Sequence, residues 1–194
     1  MKVLLQALVA FALLLAAQVP GLAHAQGTMV RVHTNQGPVD IRLLDAEAPK
    51  TVVNFLSYVR SGAYASTVVH RSVPGFVVQL GGYAFAATGQ LPHIPVKAPV
   101  ANEFSVARSN ARGTVAMAKL GTDPNSATSE WFVNLDNNAG SPPGGLDFQN
   151  GGFTVFGRVL GSTNTTDGTN MLSHFNTLST NNTIANLSSL ISSA

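Results

Sequence analysis

The chain has 194 residues, a formal net charge of +2 at pH 7, 45% hydrophobic residues and no cysteine. That length suits one domain with a core of its own, and the missing cysteines exclude disulfides and thiol chemistry. Lys and Arg never gather into a run, which argues against a nucleic-acid-binding surface.

Residues 1–25 read apart from the rest. Lys2 precedes an apolar run from Val3 to Ala17, and Ala23-His24-Ala25 supplies a small-x-small cleavage pattern. These features describe a secretory signal peptide, with cleavage expected before Gln26. The run is shorter than the roughly 20 apolar residues a spanning helix needs, so no membrane association is expected after cleavage. One domain is expected over 26–178, followed by a polar, loosely ordered tail over 179–194.

Val30 and Val32, then Val39, Ile41 and Leu43, alternate at period two and predict strands over 28–34 and 39–43. Asn35-Gln36-Gly37-Pro38 between them is turn chemistry, which makes the pair a hairpin. Then the period changes. Val52, Phe55, Leu56 and Val59 recur at i, i+3, i+4 and i+7, the apolar stripe of a helix over 49–61. Pro49 suits its first turn and Gly62 the position just past its end. Further strands are predicted at 67–71, 76–80, 114–118, 131–135 and 153–159, and a second helix near 170–178. Short strands with two helices give a mainly β domain, a barrel or sandwich with helical lids.

Common reactive groups are missing. His33, His70, His93 and His174 are distant in sequence and form no i, i+4 pair, so no metal site is read. There is no GxSxG, no phosphate loop and no cofactor motif. What stands out is His70–Gly82, where Arg71 is followed by a turn and then by a strand carrying Val77 and Gln79 on one side. Downstream, Met117-Ala118-Lys119 leads to a strand on which Glu130, Phe132 and Asn134 share a face. Trp131, on the opposite face, is expected in the core.

Together HRSVPGFVVQLGG, RGTVAMA, PNSATSEWFVN and FTVFGRV, in this order and spacing, resemble the cyclophilins. Ala48–Tyr64 resembles that family's first helix, and the likeness covers about residues 28–178. It implies a closed eight-stranded antiparallel β-barrel capped by two α-helices, with the active site on its outer face. It also implies peptidyl-prolyl cis–trans isomerase activity without cofactor or metal, which fits the absence of an acid–base pair. Carried over by motif, Arg71 is the catalytic arginine, with Phe76 and Gln79 beside it and Val77 in the wall that follows. Ala118 and Lys119 lie where the family contacts the peptide backbone, and Phe132 matches the floor of the proline pocket. Leu146 matches the pocket rim, and Phe153 a position often held by histidine.

Glu130 stands where the family usually has glutamine. An ionised carboxylate cannot donate a hydrogen bond, so Glu130 is expected to turn to Arg71 or Lys119 and orient them. Weak binding of cyclosporin is expected, because the loop that carries a tryptophan in sensitive relatives has none here. Thr183–Leu187 is a poor match to the strand that closes the family's barrel. Proline-containing polypeptides are the implied partners, met by a monomer in the periplasm or outside the cell. The alternative is a proline-directed binding module or chaperone that has kept the pocket without catalysis. A purely structural β-domain would instead tie Arg71 into an internal salt bridge.

Overall fold

The computed structural model describes residues 27–34, 37–141 and 144–160. Within them lie β1 (Met29–Thr34), β2 (Gly37–Leu43), α1 (Pro49–Arg60), β3 (Arg71–Val73), β4 (Val77–Leu80), β5 (Thr114–Met117), β6 (Trp131–Asn134) and β7 (Val155–Val159). All pairings are antiparallel, and the strands make one sheet in the order β1-β2-β7-β5-β6-β4-β3. The described residues thus give seven strands and one α-helix. They form a mainly β architecture, and the closed eight-stranded barrel with two helices implied by the resemblance is not seen among them; the expected second helix near 170–178, the signal segment and the tail fall outside the described residues.

The predicted hairpin forms, with Thr34 paired to Gly37 and Val32 to Val39. Gly37 and Pro38, expected in the turn, open β2 instead, paired with Thr34 and His33. Several other boundaries differ from the sequence prediction, most by one residue at an end. The strand expected over 67–71 is Arg71–Val73, while Thr67 makes only an isolated bridge to Ala84. Phe76 leaves the strand predicted over 76–80 and sits in a turn, where Gly75 takes φ 67° and the Phe76 amide donates to the Val73 carbonyl. β7 begins after Phe153 and Thr154: the Phe153 amide donates to the Leu146 carbonyl and its carbonyl accepts from Asn110 Nδ2, while the Thr154 carbonyl still accepts from the Met117 amide and its Oγ1 from the Glu103 amide.

Residues paired across a ladder share a face of the sheet. One face carries Val78, Val133 and Val115 in one row and Leu80, Trp131 and Met117 in the next. Against it lies the apolar stripe of α1, with Val52, Phe55 and Leu56 buried alongside Ile41, Leu43 and Phe156. The Phe55 ring sits 5.6 Å from Trp131, edge on, and 5.0 Å from Phe156. This is the main core, and it leaves the other face of β4–β7 to form something else.

The first turn of α1 has no side-chain cap of its own, since Ala48 stands at the N-cap. Glu103 replaces it from the loop between β4 and β5. Its carboxylate accepts from the amides of Lys50 (3.1 Å) and Thr51 (2.8 Å) and from Thr51 Oγ1 (2.7 Å). Among the described residues no helix is long and apolar enough to cross a membrane.

Candidate active site

Register across the second face sets the site. Arg71 on β3 pairs with Gln79 on β4, Gln79 with Phe132 on β6, Phe132 with Ala116 on β5, and Ala116 with Val155 on β7. Five residues distant in sequence therefore form one row across the sheet. Neighbouring strands lie about 4.8 Å apart, so the backbone of Arg71 is about 10 Å from that of Phe132, with Gln79 between.

A second apolar cluster covers this face, separate from the main core. Val77, Ala116, Phe132, Leu146 and Val155 are buried in it, and Leu44, Phe76, Ala118 and Phe153 pack against it half-buried. Six of the residues expected at the site (Phe76, Val77, Ala118, Phe132, Leu146 and Phe153) thus meet in one patch. The rings of Phe132 and Phe153 stand 5.8 Å apart in an edge-to-face contact, a geometry aromatic pairs favour. Phe76 joins the patch because its turn releases it from the strand alternation.

Arg71 lies exposed at the edge of this surface. Its guanidinium sits 5.6 Å over the Phe76 ring, and Nη1 donates a long bond of 3.4 Å to Gln79 Oε1. Among the described residues it meets a ring and an amide, not a carboxylate. Lys119 is turned along the wall: Nζ donates to the carbonyls of Asn150 (2.8 Å) and Gly152 (2.7 Å) and lies 4.7 Å over the Phe153 ring. Burial lowers its pKa to about 8, with Asp123 opposing the shift.

Glu130 differs from expectation. Its carboxylate pairs with neither Arg71 nor Lys119. It accepts from Gln79 Nε2 at 2.6 Å and lies 3.3 Å from His70 Nε2 and 3.2 Å from His93 Nε2. Burial pushes this carboxyl up, but the hydrogen bonds and charge of His70, with the bonds from Gln79 and His93, outweigh it and hold the group below its ordinary range. Sequence reading treated both histidines as ordinary, since 23 and 37 positions separate His93 from His70 and Glu130. The fold brings all three together.

Sequence reading also missed a buried amide network beneath the patch. Asn134 and Asn110 are fully buried. Asn134 Nδ2 donates to Thr114 Oγ1 (2.9 Å) and Asn110 Oδ1 (3.2 Å), and Asn138 Nδ2 donates to Asn134 Oδ1 and the Phe76 carbonyl, both at 2.7 Å. Asn110 Nδ2 donates in turn to Asp147 Oδ1 (2.9 Å) and the Phe153 carbonyl (3.0 Å). The network ties Phe76, the Leu146 segment and Phe153 to the strands. Among the described residues no group of three His, Cys, Asp or Glu side chains is placed to hold a metal ion.

Residues 29–190 match the family described as cyclophilin-type peptidyl-prolyl cis-trans isomerase/CLD. The chain is 39% identical over 141 residues to peptidyl-prolyl cis-trans isomerase A of Dickeya dadantii, covering 73% of this chain and 70% of that one. It is 39% identical over 132 residues to peptidyl-prolyl cis-trans isomerase B of Escherichia coli, covering 68% and 77%. A crystal structure of a Cryptosporidium parvum cyclophilin-type isomerase, obtained in the presence of the dipeptide Ala-Pro, superposes with a TM-score of 0.57 at 23% identity. That alignment covers 77% of this chain and 85% of the other and shows the fold. A family match over most of the length, with relatives near two-fifths identity, settles the lineage: the chain belongs to the cyclophilin-type peptidyl-prolyl cis–trans isomerases.

Proposed function

We propose that this chain accelerates rotation about X-Pro peptide bonds by presenting Arg71 to the twisted imide while the apolar patch holds the proline ring. Amide resonance sets a barrier of about 18–20 kcal/mol to that rotation, and both isomers of an X-Pro bond are populated. Twisting takes the nitrogen lone pair out of conjugation, so a donor aimed at that nitrogen stabilises the transition state above the planar ground states. Arg71 is permanently charged and carries its donors in a fixed fork.

Phe76, Val77, Phe132, Leu146 and Phe153 supply a dry surface for the ring, and Ala118 lines it beside them. Such a surface disfavours the planar amide by removing water from its polar groups. Each 1.4 kcal/mol gained in this way is about tenfold in rate. The observation that carries the reading is the cross-sheet row, which sets an exposed guanidinium and an aromatic floor on one face with a single strand between them.

The substrates are proline-containing polypeptides. The leader-like residues 1–25 support export to the periplasm, where unfolded chains would be met by a monomer. Mature material with Gln26 at its N-terminus, read by mass spectrometry of the expressed protein, is the expected sign of it. The decisive assay compares the cis-to-trans rate of an Ala-Pro reporter peptide in the presence of wild type and Arg71→Ala. Fast exchange in the first and a loss of about a hundredfold or more in the second is expected for a charged transition-state contact. A folded wild type that binds proline peptides without accelerating them would leave a non-catalytic module instead.

A further inference from the structure

Gln79 stands between two charged groups. Its amide nitrogen donates to Glu130 Oε2 at 2.6 Å, and its amide oxygen accepts from Arg71 Nη1 at 3.4 Å. An ionised carboxylate has no hydrogen to give. With Glu130 in place, the Gln79 amide therefore has one usable orientation, nitrogen toward Glu130 and oxygen toward Arg71. A glutamine at 130 would accept or donate equally well and leave both orientations open.

The carboxylate is itself clasped. His70 Nε2 lies 3.3 Å from Oε2 and His93 Nε2 lies 3.2 Å from Oε1, with the Tyr83 ring edge-on to both imidazoles at 4.8 and 4.9 Å. Gly82 completes the enclosure, since a Cβ there would stand 2.5 Å from Glu130 Oε1. The proton count follows from the partners. His93 Nδ1 is 2.8 Å from the Ile94 carbonyl, which only accepts, so Nδ1 carries a hydrogen. Nε2 must carry another if it is to attract Glu130 and not repel it. Both ring nitrogens of His93 thus face acceptors, Nε2 meeting Glu130 Oε1 at 3.2 Å.

His70 needs only the hydrogen on Nε2, and its buried Nδ1 has no partner among the described residues. Arg71 reaches the cluster only through Gln79. Lys119 faces away, toward the carbonyls of Asn150 and Gly152.

We propose that Glu130 is a positioning residue for the isomerisation: clasped by His70 and His93, it fixes the Gln79 amide and, through it, the Arg71 guanidinium. The proposal rests on Arg71 acting as described above.

The test measures kcat and KM separately, by NMR exchange on an Ala-Pro peptide at neutral pH. Glu130→Met should lower kcat about tenfold with KM unchanged, since Gln79 loses its charge-assisted partner. Glu130→Gln, which keeps a partner for Gln79 but leaves both amide orientations open, should lower kcat by less than Glu130→Met. A readout independent of turnover is the Gln79 side-chain amide, whose two protons should be well separated in wild type and converge in Glu130→Met. An unchanged kcat in Glu130→Met, or effects confined to KM, would overturn the proposal and leave Arg71 catalysis standing. An inactive wild type would overturn both.

Discussion

Lys119 lies beside the apolar patch at a cost in charge. Its ammonium is held against two carbonyls and a ring, and burial brings its pKa down to about 8 from an ordinary 10.5. Between those values the unfolded chain holds more protons than the folded one, so stability must rise with pH there. Chemical denaturation at pH 7.5 and at pH 10 should show Lys119→Met gaining less over that interval than wild type. Glu130 has the opposite sign. Its folded-state pKa lies below the ordinary carboxylate value, so its contribution is present at neutral pH and lost as acid protonates it. Glu130→Gln should therefore narrow the drop in melting temperature between pH 6 and pH 3. Arg71, Gln79 and Phe132 could be named as candidates because short local motifs carry them. The company Glu130 keeps was not, since three separate segments supply its partners.

Among the elements, α1 is the clearest case of a helix whose sequence shows its stripe but not its cap. The spacing of Val52, Phe55 and Leu56 is local, and the structure buries all three. The cap comes from Glu103, 52 positions beyond Thr51, and nothing in the helix sequence points to it. Glu103→Ala should destabilise the fold by about 1–2 kcal/mol, the range of a lost N-cap, read as a shift in urea midpoint. Glu103→Gln, which still accepts one of the bonds, should recover part of it. Strand boundaries failed where turns and side-chain bonds intervene, at Phe76 and at Phe153. Period-two patterning marks which residues alternate and is silent on where a ladder stops.

Among the described residues, one sheet carries the main core on one face and the second apolar cluster on the other. The strand order that does this joins β7 to β2 and β5, and β6 to β4, pairings no local pattern specifies. Phe156 is buried on the core face. Phe156→Leu should cost about 1–3 kcal/mol, as core truncations do, while kcat/KM for the reporter peptide stays within a factor of two of wild type at a temperature where the variant is folded. Asn134→Ala should do both kinds of damage, because the amides that stabilise the interior also hold Phe76 and Phe153 in place.

One consequence is optical. The chain has a single tryptophan, and β6 sets it back to back with the apolar patch: Trp131 faces the main core and Phe132 the second cluster. The indole is 4% exposed and packed edge-on against Phe55. Its fluorescence should be blue-shifted in the native state and move sharply to the red on unfolding, yet stay nearly silent when a peptide occupies the opposite side. The protein thus carries a built-in probe of its own integrity, and a ligand titration that changes the emission would signal a disturbance of the sheet itself.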